Sequence, residues 1–281
     1  MNIAELGEVM DKSSKKVSII MGVYNCQDTI NKSIDSILNQ TYENWELIIC
    51  DDCSVDNTYK IVSEYAKNNQ ERVKLIRNNE NLTLGPTLNR CLKFATGDYI
   101  ARHDGDDLYK PYKLEKQVKF LNENKEYQLV GTGMKVFDEN GVYGNRILKE
   151  IPNSKDLMRG STFAHATIMT KAYVYKELNG YSEEENRRGV EDYDLWFRFF
   201  SNGYRGYNLQ EALYCVREDR DAYKRKNIKR RFNEISTMLS GRKVLGLDFK
   251  YSLYIIKPII TMITPKFLLK MYAEKKMSPS M

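Results

Sequence analysis

The chain has 281 residues, with 44 Lys and Arg against 38 Asp and Glu and a formal charge of +6. That length suits one large α/β domain or one domain with a helical tail, and so modest a basic excess is compatible with an anionic substrate or membrane surface without implying nucleic acid. Five scattered cysteines (Cys26, Cys50, Cys53, Cys91 and Cys215) and only two histidines argue against a structural zinc site or a disulfide framework; reduced thiols in a cytoplasmic protein fit better, and the polar first residues carry no apolar signal segment.

The first regular run, residues 17–21, is continuously apolar and reads as a strand buried on both faces, closed by a turn over residues 22–25. Asp28 or Thr29 caps the helix that follows, whose Ile30, Ile34, Ile37 and Leu38 recur at helical spacing. A second strand over residues 45–50 ends in Asp51 and Asp52, and Asp56 caps the next helix, which carries Tyr59, Ile61, Val62 and Tyr65. Asp51 and Asp52 have no such local explanation; a carboxylate at a strand end is suited to accept a hydrogen bond from a sugar hydroxyl or a base N–H. A third strand is predicted over residues 73–76, then a helix from about Pro86 to Ala95 that Gly97 ends, and a further helix starting at Pro111 with Leu114, Val118, Phe120 and Leu121 as its apolar face. Four alternations of strand and helix predict a mostly parallel sheet with helices on both faces. No G-x-G-x-x-G or Walker sequence is present, which weakens nicotinamide and P-loop readings.

Residues 98–107 hold the densest chemistry: a strand-like run spills into Asp104, Asp106 and Asp107 around Gly105. Carboxylates this crowded repel one another unless a cation or donors sit among them. Asp104 and Asp106 face one ion if Gly105 lets the backbone turn, and hard oxygen ligands suit Mg²⁺ or Mn²⁺ with substrate phosphates completing the shell. A solvated acidic turn is the competing reading. The position after an apolar run favours the site, because parallel sheets bind ligands at the carboxyl ends of their strands.

Beyond a fifth strand over residues 128–132 the pattern loosens, and Gly131, Gly133, Gly141 and Gly144 predict short strands and a hairpin. His165 reads as a satisfied core or hinge histidine rather than a base. Glu191 and Asp192 open a helix whose Leu195, Trp196, Phe199 and Phe200 have the right period; dipole and capping effects, or acid–base chemistry, would each place carboxylates there. A short strand is expected over residues 203–208, followed by a basic stretch over residues 223–231.

The order of residues 17–25, Asp51-Asp52 with Ser54 and Asp56, and Asp104-x-Asp106-Asp107 resembles the inverting glycosyltransferase family 2 of the GT-A fold, bacterial surface-polysaccharide type, over roughly residues 17–213. The resemblance implies a Rossmann-like nucleotide-diphospho-sugar transferase domain over residues 14–215, with a nucleotide-binding half at 14–107 and an acceptor-side half at 108–215, and a helical tail at 216–281. It implies that Gly22, Tyr24 and Asp52 line the nucleotide pocket, that Asp104 approaches the ribose or metal, and that Asp106 holds Mn²⁺ or Mg²⁺ against the diphosphate. Asp192 is then the base for the acceptor hydroxyl and Glu191 orients the acceptor. Arg217 is the diphosphate candidate, since Glu218 and Asp219 stand where the family often has a histidine. The implied partners are a nucleotide-sugar donor, with UDP-sugar as the default, and a saccharide or lipid-linked acceptor. Hydrolysis by paired carboxylates would leave Asp51 and Asp52 without a task; a non-catalytic nucleotide-sugar-binding or protein-interaction module is the other alternative. The tail over residues 249–273 is apolar but broken by Pro258, Pro265 and four lysines. It is too interrupted to span a bilayer, and either packs on the domain, lies on an anionic membrane surface or docks a protein partner.

Overall fold

The computed structural model describes residues 15–218 and 228–264, together with Leu268 and Met271. Four strands form the parallel half of the sheet: β1 (Val17–Val23), β2 (Trp45–Asp51), β3 (Val73–Arg77) and β4 (Tyr99–Arg102), in the order β3-β2-β1-β4. Helices α1 (Ile30–Leu38), α2 (Thr58–Asn68) and α3 (Leu84–Leu92) connect them. The run of buried residues in β1 is continuous because its side chains alternate between two covered faces. Ile19 and Met21 join a core under α1 and α2, whereas Ile20 joins a second core with Leu88 and Cys91 of α3. Each such fully buried isoleucine contributes about 1.5–3 kcal/mol. β1 lies between β2 and β4, so the chain order reverses beside it, the position at which open α/β sheets bind ligands, in the crevice at the carboxyl ends of their strands.

Antiparallel pairing enters in the second half. β8 (Met169–Lys171) runs against β4, β6 (Leu129–Asp138) against β8, and β5 (Leu108–Tyr109) against β9 (Gly206–Arg217), while β6 and β9 are parallel. The sheet as a whole is therefore mixed, and the parallel character expected from the sequence belongs chiefly to its first half. The glycine-rich stretch forms the expected hairpin, β6 with β7 (Gly141–Arg146). β9 runs well past the short strand expected over residues 203–208. Its exposed Gln210 and Glu211, beside a register shift at Gly133, break the alternation that would have marked it. The remaining helices are α4 (Lys113–Glu123), α5 (Ala172–Glu177), α6 (Glu191–Ser201), α7 (Ile228–Val244) and α8 (Ile256–Ile263).

Trp196, Phe197 and Phe199 of α6 fill the second core together with Phe163, whose ring meets Trp196 edge-on at 5.4 Å. The tail packs on this core through Tyr251, Tyr254 and Ile255, and Lys257 Nζ donates to the Arg159 carbonyl at 3.0 Å. Its other face leaves Phe249, Leu253, Ile256, Ile259 and Ile260 exposed. No helix among the described residues is long and apolar enough to cross a membrane. Of the basic stretch over residues 223–231, residues 223–227 lie outside the described part, and the rest begins α7.

Candidate active site

The loops after β1 and β2 are tied together. Asn25 N–H donates to Ser54 Oγ at 3.0 Å, and Val55 N–H donates back to Asn25 Oδ1 at 3.0 Å. Asn25, Cys53 and Thr83 all hold positive φ (51°, 62° and 71°), which for the β-branched Thr83 is strained backbone. Tyr24 stands 46% exposed at the mouth. Asp51 is buried and accepts from Ser54 N–H at 3.2 Å, with Arg77 beside it, so it has a structural task the sequence did not disclose. Asp52 is 4% exposed, and its carboxylate accepts from Asn78 Nδ2 at 2.6 Å, Leu82 N–H at 2.8 Å and Thr83 N–H at 2.9 Å. Three of roughly four acceptor directions are thereby occupied. Asp52 holds the loop over residues 78–83 in place. Gly22 serves packing: a Cβ there would meet Thr87 Cγ2 at 3.1 Å and Leu84 Cδ1 at 3.3 Å, so its absence lets α3 close onto β1.

Across the crevice, β4 delivers the acidic loop. Gly105 lies in the expected turn, closed by Asp107 N–H donating to the Asp104 carbonyl at 3.3 Å, and without a positive φ its further contribution is room: a Cβ would lie 3.0 Å from Val23 Cγ1 and 3.2 Å from Cys26 Sγ. That close approach sets Asp104 and Asp106 against the Tyr24–Cys26 loop. Asp104 pairs through Oδ2 with Nη1 of Arg102, and its carbonyl accepts from Ser33 Oγ at 2.9 Å. Asp106 reaches the surface at the residue level while its carboxyl is largely enclosed; burial of that carboxyl, then the Asp104 charge, raise its pKa above the ordinary value.

Asp107 turns inward. It is 1% exposed and accepts from Tyr214 Oη at 2.8 Å and Arg217 N–H at 2.7 Å. Burial, then the Asp104 charge, push its pKa well up. Tyr214 Oη also lies 3.1 Å from His103 Nδ1, whose Nε2 is 2.9 Å from Ser33 Oγ. This buried network fastens the acidic loop to the end of β9 and brings Arg217 close enough for its charge to act on Asp106.

Among the described residues no group of three or more His, Cys, Asp or Glu is arranged to hold a metal. Asp104 and Asp106 nevertheless fit a hard divalent cation that takes only one or two carboxylates from the protein and the rest of its shell from phosphates and water. The Asp104 charge raises the proton affinity of Asp106, and a divalent cation between them would relieve that repulsion.

Helix α6 opens at the opposite wall. Of the three acidic residues in its first turn, Asp194 is structural, accepting from Arg187 Nε at 3.0 Å and Arg198 Nε at 2.7 Å. Glu191 is 7% exposed, and its enclosed Oε2 has no hydrogen-bond partner among the described residues. Asp192 is half-buried. Burial raises the pKa of both, and the Asp192 charge adds to the shift of Glu191. Backbone N–H groups of the first turn reach both carboxyls, as the helix start would favour, but they leave Glu191 Oε2 without a partner among the described residues. His165 Nε2 lies 2.8 Å from Tyr181 Oη, which is 3.0 Å from Tyr175 Oη; burial, then the Arg102 charge, keep the imidazole neutral. It is a satisfied histidine beside the crevice.

The structure thus brings Asp104, Asp106 and Arg217 together beyond β4, with Asp192 within electrostatic reach of Arg102, and adds residues that the sequence alone does not single out. Asn78 links Asp52 to Arg90, whose Nη1 donates to its Oδ1 at 2.6 Å. Arg230 of α7 donates through Nε to the Gly189 carbonyl at 2.8 Å, beside Glu191. Arg102 was visible as a lone cation in an apolar strand two residues before Asp104.

Residues 18–179 match the glycosyl transferase family 2 profile. EpsE of Bacillus subtilis, assigned as a glycosyltransferase, is 50% identical over 264 residues, which cover 94% of this chain and 95% of EpsE. WfgD of Escherichia coli, a UDP-Glc:α-D-GlcNAc-diphosphoundecaprenol β-1,3-glucosyltransferase, is 34% identical over 199 residues, covering 71% of this chain and 73% of WfgD. Among solved structures, a mannosyltransferase of Pyrobaculum calidifontis in complex with GDP-Man and Mn²⁺ superposes with a TM-score of 0.63 at 17% identity, over 95% of this chain and 82% of the other.

Proposed function

Because the chain belongs to glycosyl transferase family 2, we propose that it transfers a sugar from a UDP-sugar, with inversion and with Mn²⁺ or Mg²⁺, to a saccharide or lipid-linked acceptor in surface-polysaccharide synthesis. The observation that carries this reading is the pair of acidic groups on opposite walls of one crevice. Asp104 and Asp106 stand in the loop after β4, and Asp192 opens α6 with a raised pKa suited to accepting a proton. WfgD, whose name specifies a UDP-linked donor and a diphosphoundecaprenol-linked acceptor, supports the choice of partners.

In the mechanism, Asp192 takes the proton of the acceptor hydroxyl as that oxygen forms its bond to the anomeric carbon. The bond from that carbon to the diphosphate oxygen breaks on the far side, and one displacement inverts the centre. Asp106, assisted by Asp104, would hold the divalent ion, which when bound offsets charge on the leaving diphosphate. Arg217, anchored through its backbone to Asp107, adds a second positive group there. Tyr24 and the remaining acceptor direction of Asp52 face the nucleoside, and Glu191 orients the acceptor. The exposed apolar residues of the tail, with Lys250 and Lys257 among them, rest on an anionic membrane surface at the cytoplasmic face, where a lipid-linked acceptor is found.

The test is a panel of UDP- and GDP-sugars with Mn²⁺ and a GlcNAc-diphospho-lipid acceptor. Nucleoside diphosphate release that requires the acceptor, with a product of inverted anomeric configuration, is expected. A product that retains the donor configuration would refute the single-displacement mechanism, and release with GDP-sugars alone would reassign the donor.

A further inference from the structure

Arg102 closes β4 at 2% exposure, with its backbone fixed on both sides. Its N–H donates to the Ile168 carbonyl at 3.2 Å, and its own carbonyl accepts from Tyr109 Oη at 2.8 Å. The guanidinium has five donors. Nη1 pairs with Asp104 Oδ2, while the enclosed Nε has no partner among the described residues. Burial alone would lower the pKa of this group; the charge of Asp104 more than offsets it, and Arg102 stays a cation. An arginine so incompletely satisfied in the interior is costly, and packing does not require it, because an apolar side chain would fill the same strand position.

What the position does offer is a permanent positive charge felt on both walls of the crevice. It acts on Asp106 on one side and on Asp192, Tyr181 and His165 on the other. We infer that Arg102 is a positioning residue that joins the two halves of the site: it grips Oδ2 of Asp104 so that Oδ1 is left for a cation, and it supplies the buried counter-charge beside which Asp192 works.

The groups that face Asp192 support this division of labour. Arg102 comes from β4, Arg230 from α7, Tyr181 from the turn after α5, and Glu191 and Tyr193 from its own helix. Arg230 is exposed, so water and salt screen its charge; Arg102 is enclosed and is not screened in that way. Lysine would keep the charge of Arg102 without the planar fork that fixes a carboxylate oxygen, and glutamine would lose the charge. The two substitutions therefore separate position from charge.

The Asp192 arm rests on the proposed base, and the Asp104 arm does not. Full-length Arg102→Lys and Arg102→Gln would be compared with the unmodified protein for folding, for Mn²⁺-dependent binding of UDP or GDP by calorimetry, and for single-turnover transfer across pH. Arg102→Lys should weaken Mn²⁺-dependent nucleotide binding about tenfold and leave the acid limb of the pH profile in place. Arg102→Gln should move that limb up by about one pH unit, because Asp192 loses the charge that favours its ionised form. Unchanged nucleotide binding by folded Arg102→Lys overturns the inference, as does an unmoved acid limb in folded Arg102→Gln. If Arg102→Gln does not fold, the calorimetric result with Arg102→Lys decides. Normal transfer by Asp192→Asn would remove the base assignment, and calorimetry would still decide the role of Arg102 at Asp104.

Discussion

The first hundred residues place their carboxylates on the ends of parallel strands, whereas Asp192 enters the same crevice from the first turn of a helix nearly ninety positions after Asp104. In the strand-end half, Asp52 and Asp104 each have bonds that fix them: loop donors for Asp52, Arg102 for Asp104. In the helix-start half, Glu191 has an enclosed oxygen with no partner, and burial raises the pKa of both Glu191 and Asp192. The contrast matches the tasks proposed for them. Groups that bind a donor and a cation gain from being held rigidly, while a proton acceptor gains from surroundings that raise its basicity.

Removing the exposed carboxylate of the first half should break that division most severely. Asp106→Ala is expected to abolish transfer and to weaken Mn²⁺-dependent nucleotide binding by at least about 100-fold, with the fold intact because the side chain reaches the surface. Calorimetry with and without Mn²⁺ checks it; equal affinity in the unmodified protein under both conditions would remove the metal from the site. On the other wall, Asp192→Asn should keep donor and metal binding and lower single-turnover transfer about 10²–10⁴-fold. Near-normal transfer would mean that the strand-end half does the chemistry without it.

The seam between the halves is testable through stability. Tyr214 Oη contacts Asp107, His103 and the Asp104 N–H, so Tyr214→Phe leaves several buried polar atoms without their partner. A loss of about 1–3 kcal/mol in denaturant unfolding is expected, with a smaller effect on transfer than Asp192→Asn. A stability unchanged within error would show that the acidic loop does not depend on β9. Far from the crevice, Phe249→Ser with Leu253→Ser should reduce retention on anionic vesicles about tenfold and leave transfer to a soluble acceptor unaltered. Equal sedimentation of both proteins would assign that exposed face to another partner.

These two halves also differ in how openly the sequence states them. The continuous apolar run of β1 and the carboxylates after β2 and β4 are local signals, and they sufficed to expect the parallel half of the sheet and the acidic loop at its carboxyl end. The anchor of Asp107 was not legible because Tyr214 lies 107 positions away and only the β5–β9 pairing brings it near. β9 is longer than its local pattern announces, since Gln210 and Glu211 interrupt that pattern. Asp51 and Asp52 read alike on the page; Arg77 and the backbone of residues 82–83 distinguish them in space. Gly105 makes the turn its local sequence announces, but the steric room it leaves beside Val23 is visible only in space. Long-range partners, not local propensity, decide such roles.

Glu191 allows the smallest and sharpest version of the comparison. Its folded pKa is raised, first by burial and then by the Asp192 charge, so the folded protein holds this proton more tightly than the unfolded chain does. Stability must then fall as pH rises from the ordinary glutamate range through the folded pKa, because ionisation is penalised only in the fold. Glu191→Gln removes that penalty. The variant should equal the unmodified protein at acid pH and exceed it in stability at neutral pH. Acceptor affinity should drop at the same time, since a carboxylate kept at a cost to stability is expected to have a ligand to orient. Urea unfolding at a series of pH values, paired with transfer kinetics, measures both effects on one variant. A glutamine protein less stable than the original at neutral pH would mean that Glu191 is satisfied in the fold, and the distinction between a rigid first half and a deliberately strained second half would then rest on Asp192 alone.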